Sequence, residues 1–329
     1  MRKIPEAELK IKGLKVSFAT DQGMLTAVNG ISYEIGRGET LAIVGESGCG
    51  KTVSALSILR LVPEPPGKIV AGEILFGDTD ILKLSAKPLR ELRGRDISMI
   101  FQDPMTCLNP VLTVGHQIVE TILRHTPLSR DEARSSAGDL LRRVELPGET
   151  MGQYPHQLSG GMRQRVMIAM ALSCSPRLLI ADEPTTALDV MIQAQILDLL
   201  KQLKDETGMS ILLITHDLGV VCEVAQRVLV MYAGEIVESA PVSTLFQTPL
   251  HPYTRGLMNS VPKLEADASH TRRLEEISGN VPLLNDLPRG CSFHPRCPSV
   301  MERCQSEKPG LREVLPRHQV SCWLHEEGT

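Results

Sequence analysis

A parallel β-sheet covered by helices on both faces is predicted by three short apolar runs and the helical stretches between them. Residues 41–44, 178–181 and 211–215 are continuous apolar segments of strand length, as expected of strands buried on both faces. Residues 190–206, between the second and third runs, form an amphipathic pattern at helical spacing. Strand alternating with helix in this way specifies an α/β fold. A chain of 329 residues has room for roughly two domains.

In chain order, Leu9, Ile11 and residues 14–18 read as strand, and Asp21-Gln22-Gly23 as a turn. Residues 27–35 resume strand alternation, and Gly36-Arg37-Gly38-Glu39 turns again. A helix is predicted from Lys51 to about Leu61. Residues 104–170 read as mostly helical, with apolar residues three and four apart in 117–123 and 130–144. Composition shifts near Gln247, where proline and charge rise. A domain boundary is therefore expected at about 245, with 246–329 as a loop-rich extension. Within it, residues 261–290 hold Pro262, Pro282 and Pro288 and read as a connector.

Charge and composition exclude several function classes. The balance of 35 Lys+Arg against 39 Asp+Glu leaves no basic excess for nucleic acid. Aromatics at 3% are too few for a recognition surface built on Tyr and Trp. No apolar run approaches the ~20 residues of a membrane span. Residues 1–10 are charged and lack the apolar core of a secretory signal. A cytosolic protein is expected, with any membrane role exercised through a partner.

The sharpest signal is Gly45-Glu46-Ser47-Gly48-Cys49-Gly50-Lys51-Thr52, a GxxxxGK[ST] pattern between a buried strand and a helix. The glycines let backbone N–H groups of Gly45, Ser47, Gly48, Cys49 and Gly50 converge on phosphate oxygens at a helix N-terminus. Lys51 reaches the outer phosphates, and the Thr52 hydroxyl suits Mg²⁺. Cys49, at that same helix start, is expected to have a stabilised thiolate. Downstream, the second apolar run ends in Asp182-Glu183. Asp182 suits the magnesium shell, and Glu183 suits a proton acceptor for an attacking water. His216 follows the third apolar run, where it could hydrogen-bond a γ-phosphate.

Leu158-Ser159-Gly160-Gly161-Met162-Arg163-Gln164-Arg165 resembles the signature sequence of ATP-binding cassette (ABC) proteins, with Met162 where Gln is common. The other elements follow the same order. Phe18 stands at the adenine-stacking position, Phe101-Gln102-Asp103-Pro104 resembles the Q-loop, and Ala187-Leu188-Asp189 resembles the D-loop. His216 corresponds to the switch histidine. The resemblance covers about residues 8–245. It implies a RecA-like sheet core, an antiparallel β subdomain and a helical subdomain at about 104–170. It also implies a composite site, in which Ser159, Gly160 and Gly161 meet the ATP of a second cassette. Gln102 would bridge Mg²⁺ and the helical subdomain.

The tail sharpens the resemblance. His251-Pro252-Tyr253-Thr254 and Gly279-Asn280-Val281-Pro282 resemble the dipeptide and oligopeptide permease branch. That branch implies an ATPase at the cytoplasmic face of the inner membrane, paired with a sister ATPase subunit. Its other partners would be two membrane-spanning permease subunits, fed by an extracytoplasmic binding protein. A nickel or glutathione importer is the alternative. A non-transport ABC ATPase and a small-molecule kinase are more distant ones, the latter having no need of Ser159-Gly160-Gly161.

Eight cysteines are present, and the last four, Cys291, Cys297, Cys304 and Cys322, are clustered. Their spacings lack the paired C-x₂₋₄-C of a zinc site. The permease resemblance implies a four-iron four-sulfur (4Fe-4S) cluster on these four thiols, with His294 and His318 as nearby substitutes. Zinc and free thiols remain open at the level of sequence.

Overall fold

The computed structural model describes residues 7–21, 23–186, 188–260 and 277–326. Ala187 of the D-loop pattern, and residues 261–276 of the expected connector with Pro262, lie outside the described residues. The chain opens with two long strands, β1 (Ala7–Thr20) and β2 (Gly23–Gly36), then β3 (Thr40–Val44) and α1 (Lys51–Ile58). Next come β4 (Gly67–Phe76), β5 (Thr79–Asp80), α2 (Ala86–Leu92) and β6 (Ile97–Ile100). Four helices follow, α3 (Pro104–Cys107), α4 (Val114–His125), α5 (Arg130–Arg143) and α6 (Gly160–Leu172). Strand β7 (Leu178–Asp182), α7 (Val190–Thr207), β8 (Ser210–Ile214) and α8 (Leu218–Val224) complete the predicted alternation. The remainder comprises β9 (Arg227–Tyr232), β10 (Glu235–Pro241), α9 (Val242–Gln247), α10 (Pro252–Asn259), α11 (Glu302–Ser306), β11 (Arg312–Leu315) and β12 (His318–Val320).

The three apolar runs are β3, β7 and β8, buried at every position. Helix α1 stops at Ile58, short of the expected Leu61. Arg60 takes a left-handed φ of 50°, and the Leu61 N–H bonds back to the Leu56 carbonyl at 2.8 Å, a Schellman-type closure. Helix α5 starts on a capping box between Ser129 and Glu132, and buries Ala133, Ala137, Leu140 and Leu141. Helix α7 starts on the Asp189 side chain and ends at Gly208 with φ 71°.

The described residues form two compact units. One comprises residues 7–10, 34–40 and 75–214. In it β6, β7 and β8 run parallel, Ile97 beside Leu178 and Leu178 beside Ser210. The other comprises residues 11–33, 41–74 and 215–329, of which 22, 261–276 and 327–329 are not described. In it β3 runs parallel to β9, and β10, β12 and β11 continue the sheet antiparallel. The expectation of a parallel sheet thus holds for the alternating part. The loop-rich extension contributes two strands of its own, with Glu238 opposite Val320. Among the described residues no helix is long and apolar enough to cross a membrane.

Two devices fix the tail within the second unit. The first is apolar. Tyr232, Tyr253 and Phe293 are buried with ring centroids 4.7–5.4 Å apart, and their shared core includes Val230, Val242 and Leu245. The second is polar. Glu238 is fully buried, and its carboxylate accepts from the N–H groups of Leu250 (2.7 Å) and His251 (2.9 Å). His318, equally buried, places Nε2 2.7 Å from the same carboxylate. A buried carboxylate is tolerable only when its lone pairs are satisfied in this way.

Removing the Glu238 carboxylate leaves two N–H groups and an imidazole without their acceptor. Glu238→Ala should therefore destabilise the protein by about 3 kcal/mol or more. An unshifted urea midpoint would show that the knot contributes nothing. Burial pushes the His251 imidazole down to about 3 from its ordinary 6.5, and its neutral Nδ1 accepts from the Tyr253 N–H at 3.0 Å. The unfolded chain takes up a proton that the folded chain refuses between those values. Stability should thus fall as pH drops from about 6.5. His251→Asn keeps a cap without a titrating group, so denaturation midpoints of this variant should depend less on acid pH than those of the parent.

Candidate nucleotide site and four-cysteine pocket

The phosphate loop runs from β3 into α1. Gly50 precedes the helix with φ 102°, and a Cβ there would lie 2.4 Å from the Ala27 carbonyl oxygen, so only glycine fits. The first turn of α1 carries no acidic residue, which leaves the positive end of the helix uncompensated. Lys51 is buried, with Nζ donating to the carbonyls of Gly45 (2.8 Å) and Glu46 (3.1 Å). Ser47, Gly48 and Thr52 are exposed on the same loop and helix start. Phe18 is half-buried on β1, its ring edge against Gly67.

Cys49 departs from expectation. Its Sγ lies 4.0 Å from Lys51 Nζ, yet the residue is only 1% exposed. Burial pushes its thiol pKa up, and the nearby ammonium only partly opposes this. A helix start alone does not make a thiolate when the sulfur is out of water.

In the other unit, Asp182 ends β7 and is buried, while Glu183 follows with a left-handed φ of 47°. Three bonds hold that conformation. The Glu183 N–H donates to the Ile214 carbonyl (2.9 Å), and its carboxylate accepts from Gln102 Nε2 (3.0 Å) and the Thr186 hydroxyl (2.8 Å). The structure thereby brings together Gln102 and Glu183, which stand 81 residues apart.

The signature sequence is the start of α6. Ser159 is its N-cap, the hydroxyl accepting from the Met162 N–H at 3.3 Å and staying exposed. A Cβ on Gly161 would lie 2.9 Å from Ile192 Cγ2 of α7, so the second glycine lets the two helices approach. His216 is exposed directly after β8, and the neighbouring Asp217 caps α8 through Gly219 and Val220.

Cys291, Cys297, Cys304 and Cys322 are free thiols lining one small pocket, together with His251, His294 and Trp323. Burial, followed by the neighbouring thiols, pushes Cys322 up to about 11, and burial also raises Cys291 and Cys297. Among the described residues, no three His, Cys, Asp or Glu side chains converge as one metal ion requires. His318, an expected substitute ligand, is held by Glu238 and does not line the pocket.

Sequence reasoning missed the residues that anchor the phosphate loop from the tail. The Tyr253 hydroxyl accepts from the Glu46 N–H at 2.8 Å, and Arg296 forms a two-pronged ion pair with the Glu46 carboxylate. Their signal is faint. In a chain with four Tyr and five Phe, a Tyr in an otherwise polar tail marks a packing point.

Comparison with known proteins agrees with this architecture. The family profile described as ABC transporter matches residues 28–186, and that described as oligopeptide/dipeptide transporter, C-terminal region, matches residues 237–304. The dipeptide transport ATP-binding protein DppD of Bacillus subtilis is 51% identical over 324 residues, covering 98% of this chain and 96% of that protein. The oligopeptide transport ATP-binding protein AppD of the same organism is 50% identical, covering 97% of each. Among solved structures, the ATP-binding cassette MJ0796, a dimer in a post-hydrolysis state with ADP and Pi, aligns with a TM-score of 0.65 and 29% identity. It covers 71% of this chain and 98% of that one. With half of its residues shared over nearly its whole length, the chain belongs to the ATP-binding subunits of ABC transporters, and its fold is the ABC ATPase cassette.

Proposed function

We propose that the chain hydrolyses ATP to power import of di- or oligopeptides through a membrane ABC transporter. The observation that carries hydrolysis is the Gln102–Glu183 contact at the end of a buried strand. The peptide assignment is supported by the relatives' names and by the matching C-terminal region. In this reading residues 1–245 are the cassette, with the helical subdomain at about 104–170, and 246–329 the extension. The backbone of Gly45, Ser47, Gly48, Cys49 and Gly50 cradles the phosphates, Lys51 binds the outer two, and Phe18 stacks on adenine. Thr52, Asp182 and Gln102 would hold Mg²⁺, which would supply charge neutralisation at the phosphates. Glu183 takes the proton of the attacking water, and His216 bonds the γ-phosphate. Ser159, Gly160 and Gly161 serve the ATP of a partner cassette. The chain sits at the cytoplasmic face of the inner membrane with a second ATPase subunit and two permease subunits, supplied by an extracytoplasmic binding protein.

The extension is proposed to hold a 4Fe-4S cluster on Cys291, Cys297, Cys304 and Cys322. Four thiols around one pocket are the donor set such a cluster takes. Zinc on the same four thiols is the alternative. The cluster would supply a cross-link for the tail, since hydrolysis needs no electron transfer.

Glu183→Gln keeps shape and hydrogen bonding but removes the base. In the assembled transporter, ATP should still bind while turnover falls by about 10²-fold or more. Turnover near the parental rate would reassign the base. Anaerobically purified protein should contain iron and labile sulfide in equal amounts, and Cys322→Ser should lose both. Stoichiometric zinc without sulfide, or no metal at all, would refute the cluster.

A further inference from the structure

Glu46 is the second residue of the phosphate loop, and it is bound to the C-terminal part of the chain at both its backbone and its side chain. Its N–H donates to the Tyr253 hydroxyl at 2.8 Å. Its two carboxylate oxygens receive Nη1 and Nη2 of Arg296 at 2.8 and 3.0 Å. Two further donors of Arg296 are engaged, Nε with the Ser278 carbonyl (3.1 Å) and Nη2 with the Ile277 carbonyl (3.3 Å). The guanidinium lies 5.9 Å from the ring centres of both Tyr232 and Phe293. The Arg296 side chain is 5% exposed and that of Glu46 26%.

This is not an ordinary surface ion pair. A two-pronged Arg–carboxylate bond fixes orientation as well as distance. Removal from water reduces the screening that makes exposed pairs nearly worthless. It bridges 250 positions of sequence. The segment it fixes is glycine-rich, and such a segment loses much backbone freedom on ordering. Holding the loop in place before ligand arrives lowers the ordering cost of binding.

We infer that Arg296 is a positioning residue for ATP binding: acting from the tail through Glu46, it holds the phosphate loop in its binding-ready shape. The inference rests on the reading of that loop as the nucleotide site. Arg296 itself does nothing at the reacting phosphate, so its loss should weaken ATP binding and spare the chemical step.

The test is a mutant cycle on the full chain: Arg296→Met, Arg296→Lys, Glu46→Gln and the Arg296→Met/Glu46→Gln pair. Mg-ATP affinity is measured by calorimetry, and KM and kcat in the assembled transporter. Arg296→Met and Glu46→Gln should each weaken ATP binding about tenfold. The pair should be no worse than the weaker single variant, because both remove the same bond. Arg296→Lys should recover part of the loss, as a point charge without the fork. For Arg296→Met, kcat at saturating ATP should stay within about twofold of the parent, with KM raised. Parental affinity in Arg296→Met, multiplied losses in the pair, or a fall in kcat at unchanged KM would each overturn the inference. Should Arg296→Met fail to fold, Glu46→Gln against Arg296→Lys reads the same bond. A parent chain that does not bind ATP would sink the nucleotide reading itself, which separates the two failures.

Discussion

A phosphate loop must point several backbone N–H groups at one place, with almost no side chains of its own to pack. Much of what keeps it open has to come from outside its glycine-rich stretch. Here the strand before it is buried at every position, and the helix after it begins where Gly50 passes the Ala27 carbonyl. Lys51 is folded inward onto the carbonyls of Gly45 and Glu46. The exposed stretch of Ser47 and Gly48 between them is short. Glu46, at the strand end of that stretch, is gripped by Tyr253 and Arg296. The loop is thus anchored at its strand end, at its helix end and from the tail.

That grip explains why the tail carries so much of the chain's scarce aromatic side-chain material. Tyr253 and Phe293 join Tyr232 of β9 in one buried cluster, while the Glu238 carboxylate ties α10 and β12 to β10. Neither device suffices alone. Apolar packing sets a distance but tolerates sliding, whereas the three bonds to Glu238 have direction and fix the register. Together they let Arg296 arrive at Glu46 with its guanidinium already oriented by the Ser278 and Ile277 carbonyls.

The alternating strands and the glycine-rich loop between strand and helix were legible in the sequence because each is a local pattern. Buried parallel strands have to be apolar throughout, and a phosphate cradle has to be rich in glycine. The end of α1 was not legible, since its closure depends on Arg60 adopting a left-handed backbone. Cys49 was misread because the field of a helix start is a local property whereas burial of the sulfur is a tertiary one. The tail was the least legible part. Glu238 lies in a strand whose pattern gives no hint of a buried charge, and its partners come from 250, 251 and 318. No window of sequence contains the pair Glu46 and Arg296.

Strain marks the acidic end of β7. A non-glycine residue in the left-handed region costs of order 1 kcal/mol, and Glu183 occupies it directly after a strand whose every residue is buried. A relaxed extended residue there would continue the strand direction. The left-handed turn instead sends the chain off the sheet and sets the carboxylate beside Gln102 and Thr186. The bond from Glu183 N–H to the Ile214 carbonyl offsets the cost, because it ties the turn to the neighbouring strand β8. The same turn that interrupts the strand therefore selects one orientation for the side chain. The role proposed for Glu183, taking a proton, needs a fixed direction of the carboxylate more than low backbone energy. The strained backbone at Glu183 is where this fold gives up local stability for geometry.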